Sequence, residues 1–273
     1  MSRLQQRFEQ LKARGRKALI PFVTAGDPAP EITVPLLHSL VAAGADVLEL
    51  GIPFSDPMAE GPAIQHACER ALAHHVTTRR VLDMVREFRT KDADTPVVLM
   101  GYLNPVEVMG YDAFACEAVA AGADGMITVD LPPEEAEDYL QAFRTHGLDS
   151  IFLLAPTSTE ARIRQVAAAA SGFVYYVSLK GVTGASHIDI EEVQHKINTI
   201  KTMVDIPIAI GFGINSPETA AEVSRISDAV VVGSALVKRI AALADSPDKI
   251  NSEASKFIAS LRASIDNSNE AAA

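Results

Sequence analysis

Two carboxylates and two glycine turns are the features of this chain that could carry chemistry. Glu49 stands in Leu48-Glu49-Leu50-Gly51, inside the apolar run Val47–Ile52. A carboxylate buried there costs free energy unless it is paired or used. Burial would also raise its pKa toward the range in which a carboxyl group gives and takes protons near neutrality. The plainer reading is a glutamate turned to a solvated rim. The segment Gly51–Pro62 follows, with three prolines and two glycines, and reads as a shaped loop. It carries Asp56 and Glu60. Catalytic groups and lids concentrate on long loops of this kind. Glu49 and Glu60 facing one pocket could divide acid and base roles if their surroundings separate their pKa values. An acidic, solvated loop is the alternative.

The glycine turns are Gly211-Phe212-Gly213-Ile214 and Gly233-Ser234-Ala235, each closing an apolar run. Glycine lets the backbone approach an anion closely, and a helix starting at Ser234 would offer free N–H groups and the positive end of its dipole. One Gly-x-Gly is weak, because glycine also simply ends strands; two such turns point to phosphate. A third Gly-rich segment, Lys180-Gly181-Val182-Thr183-Gly184-Ala185, reads as a mobile lid whose backbone can also reach the phosphate. Lys180 could form a Schiff base, but a lysine in such a loop reads as solvated. The seven histidines show no zinc-binding spacing, and Cys68 reads as a small buried hydrophobe. Phe22, Met100, Tyr102 and Tyr175, at strand ends, are core residues or an apolar wall for a flat ring.

These residues need elements to hold them. Apolar runs predict strands near Ala18–Thr24, Asp46–Leu50, Pro96–Tyr102, Asp124–Val129, Ser150–Leu154, Phe173–Ser178, Pro207–Gly211 and Asp228–Val232. Near-continuous apolar runs suit parallel strands buried on both faces. A 3.6-residue period predicts helices at Ile32–Ala43, Thr78–Lys91, Tyr111–Ala121, Pro133–His146, Thr159–Ala170, Ile190–Met203 and Ser216–Ser224. Thr159 and Ser216 are the expected N-caps, and Gly44 and Gly122, in two Ala-Gly-Ala-Asp turns, the residues just past helix ends. Eight strand–helix repeats favour an α/β fold closed into a (β/α)₈ barrel, with its site at the C-terminal ends of the strands. An extra helix at Ser2–Arg14 should cover the barrel bottom, and a last helix should span Asp248–Ile265. No linker divides residues 1–273, so one domain is expected, with 266–273 a frayed tail.

Composition narrows the function classes. The net charge of −11 argues against nucleic acid or an anionic membrane as a partner, but a local nest of N–H groups can still bind an anion. No apolar run approaches the ~20 residues of a membrane span, and Met1–Arg16 is charged and amphipathic, unlike a signal peptide. Two cysteines, Cys68 and Cys116, exclude a disulfide framework and point to the cytoplasm.

The stretch Leu48–Pro57 resembles the signature of the tryptophan synthase alpha chain family. So do Pro21–Pro28, Gly181-Val182-Thr183-Gly184, Gly211–Ile214 and Gly233–Ala235, in order along nearly the whole chain. The resemblance implies a retro-aldol cleavage of indole-3-glycerol phosphate to indole and glyceraldehyde 3-phosphate, with no cofactor in this chain. It makes Glu49 the main acid–base group. It puts Glu60 where the family has an aspartate that engages the indole N–H. Phe22, Met100, Tyr102, Leu153, Tyr175 and Phe212 would line the indole pocket; Gly184, Gly213, Gly233 and Ser234 would bind phosphate; Asp56 and Thr183 would close together over the substrate. It further implies a beta-chain partner carrying pyridoxal phosphate, in an αββα complex. Two other readings stay open: another phosphate-binding barrel enzyme, such as a sugar-phosphate isomerase, and a weakly catalytic subunit that activates a partner.

Overall fold

The computed structural model describes residues 2–177, 190–211 and 213–270. The loop 180–185, with Thr183 and Gly184, and Phe212 lie outside the described residues. Eight parallel strands, β1 (Ala18–Thr24), β2 (Leu48–Gly51), β3 (Val97–Gly101), β4 (Gly125–Thr128), β5 (Asp149–Leu154), β6 (Val174–Val177), β7 (Ile208–Gly211) and β8 (Ala229–Val232), close into a barrel in sequence order. Closure comes from β1 pairing with β8, Ala18 opposite Ala229 through Pro21 opposite Val232. All eight expected strands are present, β1 with the expected ends and the others with one or both ends shifted by one or two residues.

Alternation along each strand divides the apolar residues into two sets. Leu19, Val23, Leu48 and Leu50 face outward and pack beneath the helices. Ala18, Ile20, Val47, Val98, Ile127 and Phe173 face inward and fill the barrel. Helix α1 (Arg3–Ala13) plugs the bottom by placing Leu4, Phe8 and Leu11 against that inner set. Around the barrel run α2 (Pro30–Ala42), α3 (Pro62–Ala73), α4 (Thr78–Arg89), α5 (Leu103–Met109), α6 (Tyr111–Ala121), α7 (Glu137–His146), α8 (Glu160–Ala169), α9 (Ile190–Lys201), α10 (Pro217–Ser224), α11 (Ser234–Ala241) and α12 (Ile250–Glu270). Thr159 and Ser216 cap α8 and α10 through their side chains, and Gly44 and Gly122 take positive φ past α2 and α6, as expected.

Three expectations need correction. Helices α3 and α5 lie in segments where no helix was expected. The helix expected over Pro133–His146 is a 3₁₀ turn, Pro133–Glu135, followed by α7. The tail expected to fray from 266 is helical through Glu270. Its polar residues have fixed partners: Asp266 takes hydrogen bonds from the guanidinium groups of Arg16 and Arg262, and the Ser268 hydroxyl lies 3.0 Å from that of Ser224.

The same cluster closes the barrel bottom. Asp46, just before β2, accepts the Leu19 amide of β1 (2.9 Å) and a hydrogen bond from Arg262 (3.0 Å), which also reaches the Lys17 carbonyl (2.9 Å). Asp124 accepts the Val97 amide of β3 and hydrogen bonds from Arg3 and Arg89. Asp228 accepts the Ile208 amide of β7. Each aspartate satisfies a backbone donor at the start of the neighbouring strand, which a buried strand end requires.

Deleting residues 266–273 is therefore expected to destabilise the protein by about 2 kcal/mol, the scale of lost hydrogen bonds to a charged group. A lower urea midpoint would show it; a frayed tail would leave the midpoint unmoved.

Candidate active site at the barrel mouth

Following the inward set up each strand reaches the mouth at Phe22, Glu49, Met100, Val129, Leu153, Tyr175 and Gly211. Glu49 sits opposite Phe22 on one side and Val98 on the other. It is 1% exposed, and its Oε2 has no hydrogen-bond partner. Beneath it lies the apolar inner set, with Val47 and Val98 beside it in the barrel. Burial, with a smaller contribution from the Glu60 charge, pushes its pKa up to about 8.

Glu60 comes from the loop between β2 and α3. Burial alone pushes its pKa up to about 7. The loop is held from several sides. The Gln65 side-chain amide donates to the Glu60 carbonyl (2.8 Å), and the Glu60 amide donates to the Pro57 carbonyl (3.0 Å). The Ala59 amide donates to the Tyr102 hydroxyl (2.8 Å), and Phe54 stacks on the Tyr102 ring at 5.1 Å. Pro62 then starts α3, its fixed φ suited to a first helical position. Asp56 is exposed and accepts a hydrogen bond from the Ser55 hydroxyl.

A cavity of about 570 Å³ opens at the mouth. Glu60, Met100, Leu153 and Tyr175 line it as expected, with Val129 and the segment Thr157–Thr159 beside them. Val129 was legible as the inward residue two after Ile127. Phe22 and Tyr102, expected in the wall, do not line it. The Phe22 ring lies over Gly51, where any Cβ would come within 2.7 Å of it, and packs on Ala67 and Val237. The Tyr102 hydroxyl is occupied by the loop. Gly211 also has a role other than the one read for it: a Cβ there would fall 1.9 Å from the Tyr175 hydroxyl, so the glycine seats the Tyr175 ring.

Gly233 precedes α11 without any side-chain cap, and the first helical bonds run from the Leu236 and Val237 amides to the Gly233 carbonyl. Among the described residues the Ser234 and Ala235 amides, which precede those bonds, meet no acceptor and can face an anion, and Ser234 is exposed. Gly213, exposed and at φ +60°, lies after β7 on the same face. Among the described residues, no group of three or more His, Cys, Asp or Glu is placed to hold a metal, and no helix is long and apolar enough to cross a membrane.

The family model of the tryptophan synthase alpha chain matches residues 8–266. The tryptophan synthase alpha chain of Thioalkalivibrio sulfidiphilus is 62% identical over 266 residues, 97% of this chain and 100% of that one. That of Burkholderia thailandensis is 56% identical over the full length of both. Among solved structures, tryptophan synthase subunit alpha from Legionella pneumophila superposes with a TM-score of 0.93 at 49% identity, covering 98% of this chain and 99% of that one. A chain of the aminoacrylate-bound tryptophan synthase of M. tuberculosis gives 0.85 at 36% identity, covering 97% and 100%. With sequence and barrel in agreement from end to end, the chain belongs to the tryptophan synthase alpha chain family, lyases that cleave indole-3-glycerol phosphate in tryptophan biosynthesis.

Proposed function

We propose that Glu49 is the acid–base group of this cleavage and Glu60 its electrostatic partner. The observation that carries this reading is a fully buried carboxyl group with an unpartnered oxygen, Glu49, that feels the charge of a second carboxyl, Glu60, in the cavity wall. The indole ring lies among Met100, Leu153 and Tyr175. The phosphate lies on the Gly213 turn and the amides of Ser234 and Ala235. Glu49, protonated at neutral pH, swings up into the cavity and gives its proton to the ring carbon that bears the glycerol chain. The ring nitrogen becomes positive, and its N–H donates to the ionised Glu60 carboxylate. Glu49, now ionised, takes the proton of the adjacent side-chain hydroxyl. The oxygen electrons form the aldehyde C=O, the carbon–carbon bond breaks, and its electron pair returns to the ring. Indole and glyceraldehyde 3-phosphate leave, and Glu49 has its proton back.

This chain supplies the whole step from its own side chains, with pyridoxal phosphate assigned to a beta chain. Two of the largest exposed apolar side chains support docking of that partner at the mouth: Met58, 84% exposed, in the loop after β2, and Val108, 80% exposed, on α5 after β3. Apolar residues that solvent would otherwise cover suit a protein interface. We place the complex in the cytoplasm, consistent with the two free cysteines, and read the chain as one domain.

Three outcomes test this reading. The active form has Glu49 protonated and Glu60 ionised. The kcat/KM profile should therefore be bell-shaped, falling below the Glu60 pKa of about 7 and above the Glu49 pKa of about 8. Glu49→Gln should lower turnover by about 10²–10⁴ while leaving circular dichroism unchanged, and Glu60→Gln should remove the acid limb. A folded Glu49→Gln enzyme with near-normal turnover would sink the assignment.

Stability should follow pH with a definite sign. Both glutamates hold protons more tightly folded than unfolded, so the unfolded chain binds fewer protons between the ordinary value and the raised ones. Folding is then favoured most at acid pH and loses stability as pH rises through that window. The difference in Tm between Glu49→Gln and the parent should move in favour of the variant from about pH 5 to about pH 9. A difference independent of pH would mean that Glu49 is not buried as described.

Met58→Glu and Val108→Glu should each weaken beta-chain association, because a charge is desolvated at the contact, by about tenfold in Kd per 1.4 kcal/mol lost. Calorimetry would register the change; parent-like binding by both variants would move the interface elsewhere.

A further inference from the structure

Tyr102 stands directly after β3, in a place where an aromatic ring would be expected to touch the substrate, yet it does not line the cavity. It is buried, and its two polar and apolar faces are both taken by one loop. The hydroxyl oxygen accepts the Ala59 amide at 2.8 Å, one residue before Glu60. The ring carries Phe54, five residues earlier, at 5.1 Å and 23° between planes. One side chain on a strand end thus grips both arms of the loop that delivers the second carboxyl group. A strand end of a closed barrel is among the most rigid mounts a protein offers, and a loop amide tied to it loses most of its freedom. The hydrogen bond from the Glu60 amide to the Pro57 carbonyl stays within the loop, and other contacts come from α3. Gln65 reaches the Glu60 carbonyl from that helix. The Phe54 amide also donates to the Cys68 thiol on the same helix.

We propose that Tyr102 is the positioning residue of Glu60: by holding the Ala59 amide with its hydroxyl and Phe54 with its ring, it fixes the depth at which the Glu60 carboxyl group enters the cavity. The role rests on the reading of Glu60 as the group that meets the indole N–H. Depth matters because Glu60 has a side chain one methylene longer than aspartate, and its carboxyl position depends on where its backbone is anchored. Depth also sets its ionisation, because the raised pKa of Glu60 comes from burial. Among the described residues, the titratable groups that feel the Glu60 charge are Glu49 from β2, Cys68 from α3, Tyr102 after β3 and Tyr175 from β6, and the Arg162 guanidinium of α8 lines the same cavity. The Tyr102 hydroxyl, pushed up to about 12 by burial, stays neutral over the working range and serves as a constant acceptor.

Tyr102→Phe removes the hydroxyl and keeps the stack; Tyr102→Leu removes both. The assay is kcat/KM against pH for indole-3-glycerol phosphate with the full chain and a beta chain present, together with hydrogen exchange at the Ala59 amide in the isolated chain. Tyr102→Phe is expected to lower kcat/KM roughly five- to tenfold, the worth of one ordinary hydrogen bond. It should move the acid limb of the profile to lower pH, as a loosened Glu60 meets more water, and speed Ala59 exchange. Tyr102→Leu should go further in all three. The proposal is overturned if Tyr102→Phe leaves the acid limb and Ala59 exchange unchanged, including the case where KM alone rises, which would make Tyr102 part of the substrate wall. Glu60→Gln separates the two readings. If it leaves the acid limb in place, Glu60 is not the group and the positioning role falls with it. If it removes the limb while Tyr102→Phe does not shift it, the positioning role falls alone.

Discussion

Glu49 places a buried carboxyl group above an apolar barrel interior with one oxygen unpartnered, and the rest of the barrel is arranged around that placement. A group so buried keeps its proton at neutral pH, which is what a donor to a ring carbon needs. The arrangement works only if the alternation of β2 is held in register. A slip of one residue would turn Glu49 out beneath the helices and Leu48 or Leu50 inward. The register is held by pairing on both sides, Phe22 opposite Glu49 and Val98 opposite it in turn. Glycine at the strand ends then makes room for rings near the carboxyl group, Gly51 under Phe22 and Gly211 under Tyr175.

Such a site subtracts stability, and the opposite face of the barrel offsets the loss. At the bottom, carboxylates are placed where amides and guanidinium groups already wait for them, as at Asp46 and Asp124. Below, the Asp46 and Asp124 carboxylates are satisfied by several donors and fasten strands together. Above, Glu49 keeps its Oε2 without a partner, poised for proton transfer. This division matches the general tendency of such barrels to keep stability at one end and chemistry at the other.

Much of this was legible in the sequence because the signals were local. Strand runs buried on both faces, the Ser216 and Thr159 caps, the Gly44 and Gly122 turns and the lone glutamate in Val47–Ile52 each depend on a few neighbouring residues. What was not legible depends on distant partners. The Tyr102 hydroxyl meets an amide 43 positions away, and nothing beside Tyr102 in the chain marks it. Residues 266–270 have no apolar pattern, and only Arg16 and Ser224 explain why they stay helical. Helix α3 was hidden because Gly61 and Pro62 read as the end of a loop, when they are its N-cap and first residue. The depth of Glu60 follows from contacts with α3 and Tyr102, which no spacing in the loop could reveal.

The clasp between Asp46 and Arg262 spans 216 positions. A ribosome moving at about 5–20 residues per second takes roughly ten to forty seconds to cover that distance. For most of that interval β1 lacks its partner β8, and throughout it Asp46 lacks the guanidinium of Arg262. The first strand of the barrel is thus the last to be completed. The nascent chain carries an unpaired strand edge for most of its synthesis, and such edges invite pairing with other chains. Pairing with β8 ends that exposure, and Arg262, Asp266 and Ser268 of α12 then fasten the closed barrel, so the strand made first waits longest for its neighbour.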